Sequence, residues 1–250
     1  MTDWLFFDVG NVLFDDAPQD FEAMQFFHRA IVQVDPNYSF QQMLDDREEL
    51  GRLGEKLILG QIAARFLSAE KIGEVYRHAR TSLAARYDEF NLLLPEALRV
   101  VTDLASRFRL GILANQPAEC RDSLRRRGLL EHFQVVAISD ELRLRKPDPA
   151  IFDWALTRAG VEPTRAIMIG DRRDNDVVPA AQLGMRTLWI DWPSHRQRAW
   201  FPKEPAARAF LASTDRVPYF GDHRQLLPEP DIRVATLGEV PAGIEAITRA

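Results

Sequence analysis

At 250 residues the chain is long enough for one large domain, or for a core domain with a smaller companion. Hydrophobic residues make up 46% and charged residues 28%, the proportions of an ordinary soluble globular protein. A net charge of -5 gives no basic footprint for nucleic acid, and no apolar run approaches membrane-spanning length. The single cysteine, Cys120, can build neither an internal disulfide nor a thiolate zinc site, which points to a reducing, cytoplasmic setting. The opening MTDWLFFDV lacks the basic region and long apolar run of a signal peptide.

The first apolar run, residues 5–7, reads as a buried strand that ends on Asp8, and Val9, Gly10 and Asn11 then make a tight turn. An acid just past the carboxyl end of a parallel strand stands where open α/β sheets place their ligands. Residues 15–18 are a break. From about 20 to 89 the pattern is helical, with Phe21, Met24, Phe27 and Ile31 at helical spacing and Ser39 an N-cap for a helix opening at Phe40. Ile62, Phe66, Ile72, Val75, Tyr76 and Leu83 give further apolar faces, and nothing there reads as a strand. Residues 16–88 are therefore expected to form a helical subdomain, inserted into a core made of 1–15 and 89–250.

Strands and helices alternate from Pro95 onward. A helix is expected over 96–108, buried through Leu98, Val101 and Leu104, then a strand over 110–113 that ends at Ala114-Asn115. A helix over 118–127 stops at Gly128, with Cys120 in its polar start and Arg125, Arg126 and Arg127 as its solvated end. Strands follow at 133–138, 166–169 and 186–190, with helices at 148–157 and 174–183 between them, closed by Gly160 and Gly184. This alternation argues for a parallel sheet with helices on both faces. Six of the fifteen prolines fall within 193–230, so no long regular element is expected there. Trp200, Phe201, Phe210, Tyr219 and Phe220 make that stretch a packed decoration of the core or, alternatively, a dimer contact; His195 and His223 also lie in it. A last edge strand at 232–237 and a helix at 240–248 complete the chain.

Four stretches carry chemistry: Asp8-Val9-Gly10-Asn11, Leu113-Ala114-Asn115, Arg145-Lys146-Pro147-Asp148-Pro149, and Gly170-Asp171-Arg172-Arg173-Asp174-Asn175-Asp176. Taken singly each has a plain reading. Asp8 caps a turn, Asn115 caps the next helix, Lys146 is a loop lysine, and Asp174 and Asp176 are helix N-terminal charges. In a parallel sheet, however, all four gather at the carboxyl ends of the strands.

In this order and spacing they resemble the haloacid dehalogenase-like hydrolase superfamily, and within it the phosphatase branch. The resemblance covers residues 5 to about 192. It implies a Rossmann-like, doubly wound α/β core with a helical cap inserted after the first motif. It further implies that Asp8 attacks phosphorus to give an aspartyl-phosphate that water cleaves, with Lys146 as the second catalytic group. Magnesium would be held by Asp8, the Gly10 carbonyl, Asp171 and Asp176, and the substrate phosphate by Asn115, Lys146, Gly10 and Asn11. The implied partner is a small phosphorylated metabolite, possibly a sugar phosphate, handled by a monomer or homodimer without nucleic acid or membrane.

Two positions depart from the commonest phosphatase pattern. Gly10 stands where an acid usually protonates the leaving group, and Ala114 where a hydroxyl usually binds phosphate. These departures leave open a catalytically weakened phosphoryl-binding or regulatory protein. A haloacid dehalogenase needs no metal, so the acids Asp171, Asp174 and Asp176 count against that third reading.

Overall fold

The computed structural model describes residues 2–191, 198–217 and 229–249. The chain runs β1 (Trp4–Phe7), β2 (Phe14–Asp15), α1 (Ala17–Val32), α2 (Phe40–Arg52), α3 (Ile58–Ala63), α4 (Ala69–Ala85), α5 (Tyr87–Phe90) and β3 (Leu92–Leu93). It continues with α6 (Ala97–Ala105), β4 (Arg109–Ala114), α7 (Glu119–Arg126), β5 (Phe133–Ile138), α8 (Ser139–Leu142), α9 (Pro149–Ala159), β6 (Ala166–Gly170), α10 (Val178–Gln182) and β7 (Arg186–Ile190). The last elements are α11 (Pro205–Arg216), β8 (Ile232–Val234) and α12 (Val240–Arg249). Two compact units result. One holds the described parts of 1–15, 92–199 and 226–250, the other those of 16–91 and 200–225.

The first unit is built on a six-stranded sheet in the order β5-β4-β1-β6-β7-β8, parallel at every pairing. Its strand order reverses beside β1, which makes the carboxyl end of that strand the switch point of a doubly wound sheet. A strand in the middle of such a sheet is covered on both faces and so must be apolar throughout; Trp-Leu-Phe-Phe meets that demand, with all four residues buried. Trp4 and Phe6 pack with Phe152, Ala155 and Met168. β4 makes room for them with Gly111, where a Cβ would come within 2.5 Å of the Phe6 ring.

Several expectations are corrected in this unit. Asp15 does not simply break the chain: with Phe14 it pairs antiparallel to Leu92 and Leu93 in a two-residue ribbon, too short to show alternation in sequence. Leu98 is exposed, because α6 buries Ala97, Val100, Val101 and Leu104 instead. Cys120, placed in the polar start of α7, is nevertheless fully buried. Residues 174–183 do not open as an α-helix: Arg173–Val177 is a single π-helical turn ahead of α10. The last strand is only Ile232–Val234.

The second unit is helical. Its buried core includes Phe21, Met24, Phe27, Ile31, Met43, Leu44 and Ile62, joined by Ala207 and Phe210 from α11. Ser39 caps α2 as expected. Its hydroxyl accepts from the Gln42 N–H at 3.2 Å and its own N–H donates to Gln42 Oε1 at 2.7 Å, a reciprocal capping box.

The absence of regular structure expected over 193–230 is corrected by α11, which belongs to this helical unit and not to the α/β core. Proline count misleads here because position decides. Pro205 occupies the first turn of the helix, where no N–H is required, and 206–216 are proline-free. His195, Tyr219, Phe220 and His223 lie outside the described residues.

α11 is tied down by Arg47, whose side chain is fully buried. Its guanidinium donates to the carbonyls of Ser213 (2.9 Å) and Val217 (2.6 Å) and to Ser213 Oγ (3.1 Å). Carbonyls at a helix C-terminus have no partner within the helix, and a cation complements the dipole there. Glu48 beside it pairs with Arg216 at 2.5 Å and Arg52 at 2.7 Å. Arg47→Met is expected to cost about 2–4 kcal/mol, since it strands buried acceptors while nearly keeping side-chain bulk. Urea denaturation checks this, and limited proteolysis is expected to cut first around α11; an unchanged midpoint would refute it.

Candidate active site

The β1–β6 ladder runs one residue past β1, with the Asp8 N–H donating to the Ile169 carbonyl at 2.9 Å. Asp8 is thereby fixed at the end of the central strand. Its Oδ1 accepts from the Val9 N–H at 2.8 Å. The Val9 carbonyl then accepts from Val12, Leu13 and Phe14 at 3.3, 2.8 and 3.0 Å. Such a tight reversal needs a left-handed residue, supplied by Asn11 at φ 50°, a conformation that asparagine tolerates. Val9, Val12, Leu13 and Phe14 are all buried and anchor the loop. Gly10 forms an isolated bridge with Phe14 and brings no side chain to the site.

Asn115 follows β4. Its carboxamide reaches across to the main chain of Lys146: Nδ2 donates to the Lys146 carbonyl and Oδ1 accepts the Lys146 N–H, both at 2.8 Å. The side chain expected to face phosphate is thus occupied in holding the lysine loop. From the other side Lys146 is secured by the start of α9, where Asp148 caps the Ala150 N–H at 2.9 Å and Pro149 fills the first turn.

The Lys146 ammonium lies 3.0 Å from Asp8 Oδ1 and 2.5 Å from Asp176 Oδ1, and its side chain is fully buried. Burial opposes its charge, but the carboxylates of Asp176 and Asp8 outweigh burial and hold the ammonium above its ordinary value.

β6 delivers the remaining acids. Asp176 sits in the π-helical turn, and its Oδ2 accepts the Arg172 N–H at 3.0 Å. Gly170 is required beneath it, since a Cβ there would lie 2.4 Å from Asp176 Cβ and Oδ2. Asp174 turns away to pair with Arg172 at 2.8 Å and is not one of the gathered acids. Two neighbours escaped the sequence reading: Arg172, and Trp189, whose indole N–H donates to the Asp171 carbonyl at 2.8 Å. Arg172 was visible only as a variable position in a motif, and Trp189 as one more apolar strand residue.

Asp8, Asp171 and Asp176 each offer a carboxylate oxygen within 4.8 Å of the others, and among the described residues they form the group of acids placed to share an ion. Burial, then the charges of Asp176 and Asp8, push Asp171 well above the usual carboxylate range. Burial also raises Asp176, to about 6, against the pull of Lys146. Both causes are ones a cation would relieve. Three hard oxygen donors facing one ammonium therefore fit a divalent ion.

A strand-end aspartate, a buried lysine and two further acids thus meet at the switch point of a doubly wound α/β sheet. A family model described as a haloacid dehalogenase-like hydrolase matches residues 2–184, and the chain belongs to that family. It is 34% identical over 150 residues to a phosphoserine phosphatase of Thermus thermophilus, a match that covers 59% of this chain and only 49% of that protein. The pyrimidine 5'-nucleotidase YjjG of Escherichia coli is 25% identical over 78% of this chain and 88% of its own. A glyceraldehyde 3-phosphate phosphatase of Methanocaldococcus jannaschii is 28% identical over 68% and 67%. Among solved structures, CbbY of Rhodobacter sphaeroides, in complex with phosphate, aligns with TM-score 0.60 and 20% identity over 98% of this chain and 100% of its own. The 2-haloacid dehalogenase of Pseudomonas syringae pv. tomato aligns with TM-score 0.57 and 22% identity over 99% and 100%. These structural likenesses establish the fold.

Two outcomes are expected. Gly170→Ala should displace Asp176, cost about 1–3 kcal/mol through overpacking, and weaken divalent-cation binding in calorimetric titration. Unchanged binding would separate Gly170 from the acid cluster. In cation-free protein, Asp176 keeps its proton up to about pH 6, whereas an unfolded aspartate releases it near 3.8. The folded state therefore binds more protons between those values, and the contribution of Asp176 to stability falls as pH rises through the window. Urea midpoints measured with chelator across that range should decline less steeply in Asp176→Asn.

Proposed function

We propose that this chain is a magnesium-dependent phosphatase of a small phosphorylated metabolite, acting through an aspartyl-phosphate on Asp8. The observation that carries the reading is the strand-end carboxylate of Asp8, held 3.0 Å from a buried ammonium and within 4.8 Å of Asp171 and Asp176 oxygens. Relatives named as phosphoserine and glyceraldehyde 3-phosphate phosphatases support a phosphoryl substrate. YfnB of Bacillus subtilis, which shares the fold at TM-score 0.59, was solved bound to magnesium.

A phosphate monoester repels an anionic nucleophile, so positive charge must offset both. Lys146 supplies part of it, with its ammonium 3.0 Å from Asp8 and free to face a phosphate oxygen. Magnesium, held by Asp8, the Gly10 carbonyl, Asp171 and Asp176, would supply the rest. An Asp8 oxygen bonds to phosphorus while the bond from phosphorus to the leaving oxygen breaks, its electron pair departing with that oxygen. Water then attacks the phosphorus, restores the carboxylate and releases phosphate. Gly10, Asn11 and Asn115 are the proposed phosphate-binding positions, the Asn115 side chain being committed to Lys146.

Gly10 offers no general acid, a loss typically worth about 10²- to 10⁴-fold. The preferred substrate is therefore one whose leaving oxygen needs little protonation, such as an acyl or anomeric phosphate. Ala114 forgoes a further hydrogen bond worth about 1.5–3 kcal/mol to a charged group. We assign the helical unit the role of a cap that selects the substrate. A cytoplasmic location is part of this reading; among the described residues no helix is long and apolar enough to cross a membrane.

The same two departures favour a second reading, a phosphoryl-binding or regulatory protein with little turnover. Phosphate release from a panel of sugar, acyl and amino-acid phosphates separates the two. Wild type should release phosphate only with magnesium, and Asp8→Asn should lose at least about 10³-fold. Equal rates in wild type and Asp8→Asn would remove Asp8 as nucleophile. Tight binding of beryllium fluoride with magnesium, without turnover of any substrate, would favour the second reading.

A further inference from the structure

Trp189 lies on β7 directly beside Gly170, the last residue of β6. An aliphatic side chain would serve equally to cover the sheet at that point. The indole does something an aliphatic group cannot, because its Nε1–H donates to the Asp171 carbonyl at 2.8 Å. One residue further on, the Arg172 N–H is taken by Asp176 Oδ2 at 3.0 Å. The peptide group that follows the Asp171 Cα is therefore held at both ends, its N–H by the acid cluster and its carbonyl by the neighbouring strand.

The indole is itself held. It is 5% exposed, and two guanidinium groups approach its ring, Arg173 at 5.2 Å and Arg233 at 5.3 Å from the centroid. Cations over an indole face are attracted by its quadrupole. Arg173 continues to Glu229 at 3.2 Å, and Arg233 pairs with Asp191. Arg173 also opens the π-helical turn that carries Asp176. The ring thus couples the Asp171 loop to β7, β8 and the π-turn.

We infer that Trp189 is a positioning residue of this site: its indole N–H sets the main chain of Asp171 and so the aim of that carboxylate toward Asp8 and Asp176. This rests on the divalent-cation reading proposed above. Groups that orient a metal ligand without touching the ion typically govern affinity by about 10- to 100-fold.

Trp189→Phe removes the N–H and keeps an aromatic face for both arginines. Magnesium titration by calorimetry is expected to give about tenfold weaker binding than wild type. Activity should fall at limiting magnesium and return at saturating magnesium, the pattern of a misaimed ligand. Leu156→Ala, a truncation in the buried core of the same unit, serves as the stability control and should leave magnesium affinity unchanged. Wild-type affinity in Trp189→Phe, or an equal loss in Leu156→Ala, would overturn the inference while leaving the cation reading intact. Failure of wild type to bind magnesium would overturn both.

Discussion

The structure turns on one ammonium group withdrawn from water between two carboxylates. A buried lysine is costly unless it is paired, and removing either partner leaves an uncompensated charge. Lys146 meets this condition only because Asp8 and Asp176, which are 168 residues apart in sequence, arrive at the same point. The doubly wound sheet brings them there. β1 ends at its centre, β6 ends alongside, and the loop from β5 crosses to meet both. An acid cluster with one cation among it is then poised to take up a second, more highly charged one.

Precision at this point comes from residues that carry no charge. Asn115 clamps the lysine loop with both ends of its carboxamide, and Gly170 leaves the volume that the Asp176 carboxylate fills. Asn11 adopts the left-handed turn that returns the chain after Asp8. Each works through backbone geometry or volume, and each would be silent in a search for ionisable groups.

This division explains what could be read in advance. That Asp8, Lys146, Asp171 and Asp176 meet at one point was legible because their order and their places after successive strands restrict them, and the sheet strands because buried parallel strands are short apolar runs. The role of Asn115 was not, since a carboxamide that holds phosphate and one that holds a backbone look alike in sequence. Trp189 passed as strand core because the direction of its N–H is set by the partner strand. Leu98 was misplaced because one helical face differs from the next by only a residue. α11 was hidden by the density of prolines around it, although only their positions matter to a helix.

α11 has a consequence for how the chain is made. The helical unit is assembled from two segments separated by more than a hundred residues, and its core includes Phe210 from the later one. During synthesis α1–α5 leave the ribosome with Phe21 still lacking that aromatic neighbour and Arg47 lacking the carbonyls that receive it. That half-built bundle must wait, its apolar seam uncovered, while most of the sheet is translated. Grafting the insertion alone onto another protein would carry the same unfinished seam with it.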